Sequence, residues 1–230
     1  MKINPYYLKA RLFPTILTSI PLLVFVTQVL NPLYGESLKK IYDTLPVITN
    51  LGVYAALVFL CVQVNRFVSK ELFQKYFFNE ENKMPTTNYL LWSNSFFVNE
   101  TKGAIREKVL SSFDITLLSP EEELKDDSKA RNLIAFAVSQ IRNKLRENRI
   151  LFQHNLEYGF IRNFIGGSFI AILFCFAVIT FAIIDSNIVL RNTGIILLIV
   201  YLLPIILSRF LISRYGRYYA KVLYEQFMTS

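Results

Sequence analysis

Arg142, Arg146 and Arg149 recur at helical spacing in a stretch that also holds Lys144 and is opposed by Glu147 alone. On one continuous helix these spacings put the three arginines on a shared face. Guanidinium groups so arranged suit a phosphate backbone, because each can clamp phosphate oxygens by paired hydrogen bonds. Phe152, Tyr158 and Trp92 can offer faces for bases to stack upon. Basic residues just inside a membrane also meet anionic lipid headgroups, so the pattern alone leaves both kinds of phosphate open.

Further along, Asn155, Gly159, Arg162, Asn163 and Gly166 fall on one helical stripe. A small-and-polar stripe either lets another helix approach closely or lines an opening, and close packing is the favoured reading. Arg162 adds a possible fifth phosphate contact to Arg142, Lys144, Arg146 and Arg149. Catalytic chemistry is poorly represented. His154 is the single histidine, and no phosphate-cradling glycine loop or metal-spaced cluster accompanies it. Glu121-Glu122-Glu123 with Asp126-Asp127 reads as a solvated helix start rather than a cation site. The two cysteines, Cys61 and Cys175, read as small apolar packing residues. The expectation is therefore no enzyme, no cofactor and no metal.

The elements that position these residues are set by where charge is missing. Leu12–Gly35, Thr44–Asn65, Asn163–Ile184 and Asn192–Ser208 carry no charged side chain. Each is near the length of about 20 residues that a helix needs to cross a bilayer. A hydrophobic content of 53% and a mean hydropathy of +0.37 agree with a membrane protein. The formal charge of +8 sits mostly beside membrane ends: Lys2, Lys9 and Arg11 before the first run, Arg209, Arg214, Arg217 and Lys221 after the last. The positive-inside rule then puts both termini and the central region in the cytoplasm. The charge is chiefly a topology signal.

The predicted fold is an all-α membrane protein with four transmembrane helices arranged as two hairpins. Its parts are a cytoplasmic N-terminus (1–11), spans at 12–35, 44–65, 163–184 and 192–208, a cytoplasmic helical ligand-sensing region (66–162) and a cytoplasmic C-terminus (209–230). Asn31-Pro32 and Gly35 should end the first span, and Asn79–Pro85 should form a polar turn. A helix capped by Asp127 or Ser128 should run toward the third span, with Gly159, Gly166 and Gly167 as its weak points. The first span is the most polar, holding Pro14, Pro21, Thr15, Thr18 and Ser19. Those three hydroxyls either line a pore or bond locally and glue helices together. The spans lack ionisable groups, which weighs against a pump and toward a passive pore.

Asn4-Pro5-Tyr6-Tyr7-Leu8-Lys9-Ala10-Arg11-Leu12-Phe13-Pro14 resembles the opening of a family of bacterial four-span membrane proteins. Similarity continues through Pro85-Thr86-Thr87, Glu100-Thr101-Lys102, Ser119-Pro120-Glu121-Glu122-Glu123 and Asn155-Leu156-Glu157-Tyr158-Gly159-Phe160-Ile161-Arg162-Asn163. The family is identified with the membrane effector of the Hailong anti-phage system. Where the family has two adjacent arginines after Tyr-Gly-Phe, this chain has Ile161-Arg162, which puts one basic contact in doubt.

The resemblance implies a homo-oligomeric ion channel in the bacterial inner membrane, with a tetramer as the expected assembly. A partner nucleotidyltransferase would supply short single-stranded DNA oligomers that keep it closed. Their loss would open the channel and depolarise the membrane, stopping the infected cell. Two alternatives stand beside it: a pore opened by a cyclic nucleotide, and a membrane-anchored interaction protein without conductance.

Overall fold

In the computed structural model, the backbone is described for residues 4–44, 47–78 and 82–230, and side chains are described for the same residues except 38, 41–44 and 47–54. Among them all regular structure is helical. Among the described residues, three helices are long and apolar enough to cross a bilayer: α1 (Tyr7–Ser37), α7 (Arg149–Ile184) and α8 (Ile188–Ile206). The expected second span, 44–65, lies partly outside the described residues. Its described part belongs to α2 (Val47–Val68). The expected turn at Asn79–Pro85 likewise includes residues outside the described set.

The chain divides into two compact units. The first comprises Met1–Phe73 and Gly159–Ser208 and holds the apolar helices. Its packing is built from small groups. Ala171, Cys175 and Tyr201 form one buried cluster, and Val178, Ala182 and Leu190 form another with Phe25 against it. Much of the remaining apolar surface faces outward, as on Leu173, Phe176, Ile196 and Ile199. Such an uncovered surface is at home in lipid or against another apolar chain.

α1 does not end at Asn31-Pro32. Helix continues through Asn31–Thr44, so the expected link after Gly35 is helical. Pro32 follows a π-helical stretch, Val26–Leu30, and does not end the helix. Two more π-helical stretches occur at Tyr7–Leu12 and Ser69–Gln74.

The second unit comprises Gln74–Tyr158 and Arg209–Ser230. It contains α3 (Pro85–Asn88), α4 (Asn99–Phe113), α5 (Pro120–Lys125), α6 (Asp127–Lys144), the first turns of α7 and nearly all of α9 (Ser208–Thr229). Ile105 and Val109 of α4, Ile134, Ala137 and Ile141 of α6, and Leu223 and Phe227 of α9 form its core. The three-and-four spacing of these residues is what gives each helix one buried face. Ser119 starts α5 with a capping box, its hydroxyl accepting from Glu122 N–H while the Glu122 carboxylate accepts from Ser119 N–H.

The helix expected to run from Ser128 toward the third span is two helices. α6 is capped by Asp126 and stops at Lys144. Leu145 leaves helical geometry, and Asn148 caps α7 by accepting from Leu151 N–H at 2.9 Å. Gly159, Gly166 and Gly167 are not weak points: α7 passes through all three unbroken.

Candidate functional site

The polar seam of the membrane unit begins with two prolines. Pro14 and Pro21 have no N–H to give the carbonyls of Ala10 and Leu17, four residues back. Other helices serve those oxygens. Asn163 Nδ2 donates to Ala10 O at 2.6 Å, and Tyr201 Oη donates to Leu17 O at 2.5 Å. In lipid no water replaces such partners, so each bond both satisfies α1 and fixes its neighbour.

The seam continues at the far end of α2. Ser69 Oγ donates to Asn163 Oδ1 at 2.8 Å, and Asn65 Nδ2 donates to Thr15 Oγ1 at 2.9 Å. Asn65, Ser69 and Asn163 are all buried. Glycines allow the approach. A Cβ on Gly166 would lie 2.7 Å from the Ser69 backbone nitrogen, and one on Gly159 would lie 3.1 Å from Ala10 Cβ. Thus Gly159, Asn163 and Gly166 meet α1 and the turn after α2 within the chain. Asn155, the first residue of the expected stripe, is half-buried in the other unit.

Thr15, Thr18 and Ser19 all return hydrogen bonds to their own helix. Thr15 Oγ1 donates to Arg11 O, Thr18 Oγ1 to Pro14 O and Ser19 Oγ to Thr15 O, at 2.9, 2.9 and 2.7 Å. They also border a cavity of about 250 Å³ with Asn65, Leu60 and Phe174. Asn65 Oδ1 is buried there without a hydrogen-bond partner. The site combines local bonding with exposure to a small, mainly apolar space.

Arg142, Arg146 and Arg149 do not stand on one helix. Arg142 is in α6, Arg146 in the intervening turn and Arg149 at the start of α7. The helix break at Leu145 removes the shared face that their spacing predicts. Arg142 reaches Thr86 Oγ1 at 3.4 Å and lies over the Tyr219 ring. Lys144 is over the Phe227 ring, while Arg146 and Arg149 are exposed. Arg162 is buried and belongs to the membrane unit.

Trp92 has a structural task that the stacking expectation missed. Arg106 lies over its ring at 4.4 Å and donates to Leu118 O and Leu90 O at 2.7 and 2.6 Å. Glu123, expected on a solvated helix end, is buried beside it. Its carboxylate accepts from Trp92 N–H at 3.0 Å and Ser93 N–H at 3.1 Å and pairs with Arg106 at 3.5 Å. Lys102 donates to Trp92 O and Asn94 O. Burial lowers the Arg106 and Lys102 pKa values from their ordinary ranges, with Glu123 opposing both shifts. Arg106, Glu123 and Lys102 therefore hold the irregular segment after Leu91. Only the acidic run and the lone tryptophan signalled this in sequence, and neither revealed the pairing.

His154 Nδ1 lies 3.6 Å from Glu157 Oε2, so a carboxylate one turn away does accompany the single histidine. Among the described residues no group of three or more His, Cys, Asp or Glu is placed to hold a metal. A second cavity, about 390 Å³, lies wholly in the polar unit and is lined by Phe77, Lys83, Asn88, Arg131, Arg209 and Ser213 among others. Lys83, Arg131 and Arg209 give this cavity a largely cationic lining, and among its described lining residues none is a nucleophile paired with a base.

The chain matches no protein-family model, no curated protein and no solved structure.

Proposed function

We propose that this chain is a four-span bacterial inner-membrane protein, with cytoplasmic termini, that assembles as a homotetrameric ion channel. In this reading it is an anti-phage effector held closed by short single-stranded DNA oligomers made by a partner nucleotidyltransferase. Loss of the oligomer opens it and depolarises the cell. The observation that carries the channel reading is the unspent surface of the apolar helices. Only 22–33% of the residues in their most apolar windows are buried. One copy encloses a small cavity with mainly apolar walls, so a water-filled path needs several copies. The nucleotide ligand and the defence role rest on the family resemblance.

The ligand must bind the closed assembly more tightly than the open one to hold it shut. The test is ion flux through full-length protein in planar bilayers, with and without short single-stranded DNA. Conductance that falls on adding oligomer is the expected result. Conductance that appears only on adding a cyclic nucleotide reverses the gating. Silence under every ligand condition leaves the anchored binding module, a reading favoured by the separate core of the polar unit.

A further inference from the structure

The cavity of about 390 Å³ in the polar unit draws its charge from three stretches that are distant in sequence. Lys83 comes from the segment before α3, Arg131 from α6 and Arg209 from the start of α9. Asn88 and Ser213 add an amide and a hydroxyl, and Phe77 and Phe78 add rings. The volume falls within the range of small-molecule pockets, about 300 to 1,000 Å³.

Hydrogen bonds and packing hold this lining in place. Arg131 Nη1 donates to Asn82 O at 3.1 Å and to Asn88 Oδ1 at 2.6 Å, and its Nε donates to Asp127 at 2.7 Å. Asn88 Nδ2 donates to Lys83 O at 3.0 Å. One guanidinium and one amide thus tie the main chain at Asn82 and Lys83 to α6. Met84 and Thr86, on either side of Pro85, are buried. A Cβ on Gly216 would lie 3.4 Å from Pro85 and 3.7 Å from Phe78, so α9 packs on the same segment.

The charges around the cavity are unequal. Asp127 is paired with Arg131, whereas Lys83 and Arg209 are exposed and have no ion pair among the described residues. Glu80 and Glu81 precede this segment in sequence and lie outside the described residues. An anion seated in the cavity would meet cations from three directions. Phosphate suits that better than carboxylate, because its tetrahedral oxygens can accept from several segments at once. Phe77 is half-buried, with Tyr76 edge-on to it at 5.3 Å, so an aromatic ring stands beside the cations. A planar base can pack against such a ring.

We propose that this cavity binds the phosphate group of a nucleotide. Arg131 is the fixed contact, Lys83 and Arg209 close on the phosphate from solvent, and Phe77 meets the base. A free mononucleotide and the phosphorylated end of a short oligonucleotide share this chemistry. The site has no residue in common with the surface that carries Arg146 and Arg149, and it does not depend on whether the protein conducts ions.

The test is isothermal titration of the full chain in a neutral detergent, with deoxyadenosine 5′-monophosphate and deoxyadenosine as probes. The monophosphate should bind and the nucleoside should bind at least about tenfold more weakly. K83Q/R209Q removes two exposed cations that support no packing, so it should fold, as its melting temperature will show. It should weaken the monophosphate by about tenfold for each cation removed. K125Q/K129Q makes the same change in net charge away from the cavity and should leave binding unaltered. Short oligonucleotides with a 5′-phosphate or a 5′-hydroxyl separate the two sources: a preference for the phosphorylated end that K83Q/R209Q abolishes assigns the site to chain ends, and binding of the monophosphate alone assigns it to free nucleotides. Equal affinity for monophosphate and nucleoside, or unchanged affinity in K83Q/R209Q, overturns the proposal. Loss of monophosphate binding on adding phosphatidylglycerol gives the cavity to lipid headgroups and overturns it too.

Discussion

Asn163 supplies the hydrogen bond that Pro14 denies to Ala10. Its Nδ2 lies 2.6 Å from the Ala10 carbonyl oxygen, across 153 positions of sequence. The same amide accepts from Ser69 through its oxygen, so one side chain holds α1 and the turn after α2 onto α7. Tyr201 repeats the relationship at Leu17 and Pro21.

This pairing predicts a coupled energy. Asn163→Leu should lower stability by about 1–3 kcal/mol, since it strips a buried carbonyl of its donor. Pro14→Ala restores a backbone N–H to that carbonyl, so in its background the same substitution should cost measurably less. Thermal unfolding of the four proteins in one detergent gives the cycle. Strictly additive melting shifts would disprove the link between Pro14 and Asn163.

Two glycines should respond in opposite directions to alanine. Gly166→Ala places a carbon 2.5 Å from Ser69 Cβ and 2.7 Å from its backbone, so a helix must move and stability should fall. Gly103→Ala, in α4, meets nothing within 4 Å and should gain roughly 0.5–1 kcal/mol from helix propensity. Melting temperatures that shift the same way for both would contradict this geometry.

Glu123→Gln leaves Arg106 buried without its counter-charge. Breaking a buried pair in this way should cost about 3 kcal/mol. Trp92 is the only tryptophan in the chain and lies in direct contact with both partners. Its fluorescence therefore reports the denaturant midpoint of the polar unit without a label. An unchanged midpoint would mean that Glu123 does not secure the segment.

Acid should weaken the start of α5. The Glu122 carboxylate accepts from Ser119 N–H at 2.8 Å, and that bond with the Ser119 hydroxyl holds its carboxyl below the ordinary value of 4.5. The folded state thus favours the ionised form. The stabilisation is complete above pH 4.5 and is lost as pH falls through the lower, folded value. Wild type should exceed Glu122→Gln in stability at pH 7, and the difference should close on acidification. A difference constant from pH 7 to 2 would sink the assignment.

Arg146→Ala with Arg149→Ala tests the oligonucleotide reading most cleanly, because both side chains are exposed and neither supports the core. Binding of labelled single-stranded DNA should weaken for every sequence, and the salt slope should fall by about 1.4 if both contact phosphates. Arg142→Ala will also disturb Thr86 and Tyr219, so its effect mixes binding with folding. An unaltered slope in the double variant would remove these residues from the site.

The sequence made helices legible wherever one physical rule acted alone. Ile134, Ala137, Val138 and Ile141 recur at helical spacing and are buried. Ser119-Pro120 and the acids that follow marked a helix start, and the structure closes it with a capping box between Ser119 and Glu122. The break before α7 was written in Asn148, a strong capping residue, yet the apolar spacing through Leu145 concealed it. The arginine face failed for that reason: spacing predicts a shared face only on an unbroken helix. Glu123, Lys102 and Asn65 were illegible because burial of a polar group depends on partners distant in sequence. The π-helical stretches were illegible too, since no residue type encodes a one-residue excess.

Those stretches carry a consequence for changes in chain length. A π turn takes up an extra residue inside a helix that otherwise keeps 3.6 residues per turn. Removing one residue from Tyr7–Leu12 or Ser69–Gln74 leaves ordinary α geometry with the flanking helix still in phase, whereas the same deletion in regular α-helix rotates everything on one side by about 100°. Arg11 and Lys70 sit inside those very turns. The wide turns therefore act as phase adjusters, setting the azimuth at which each cation leaves its helix.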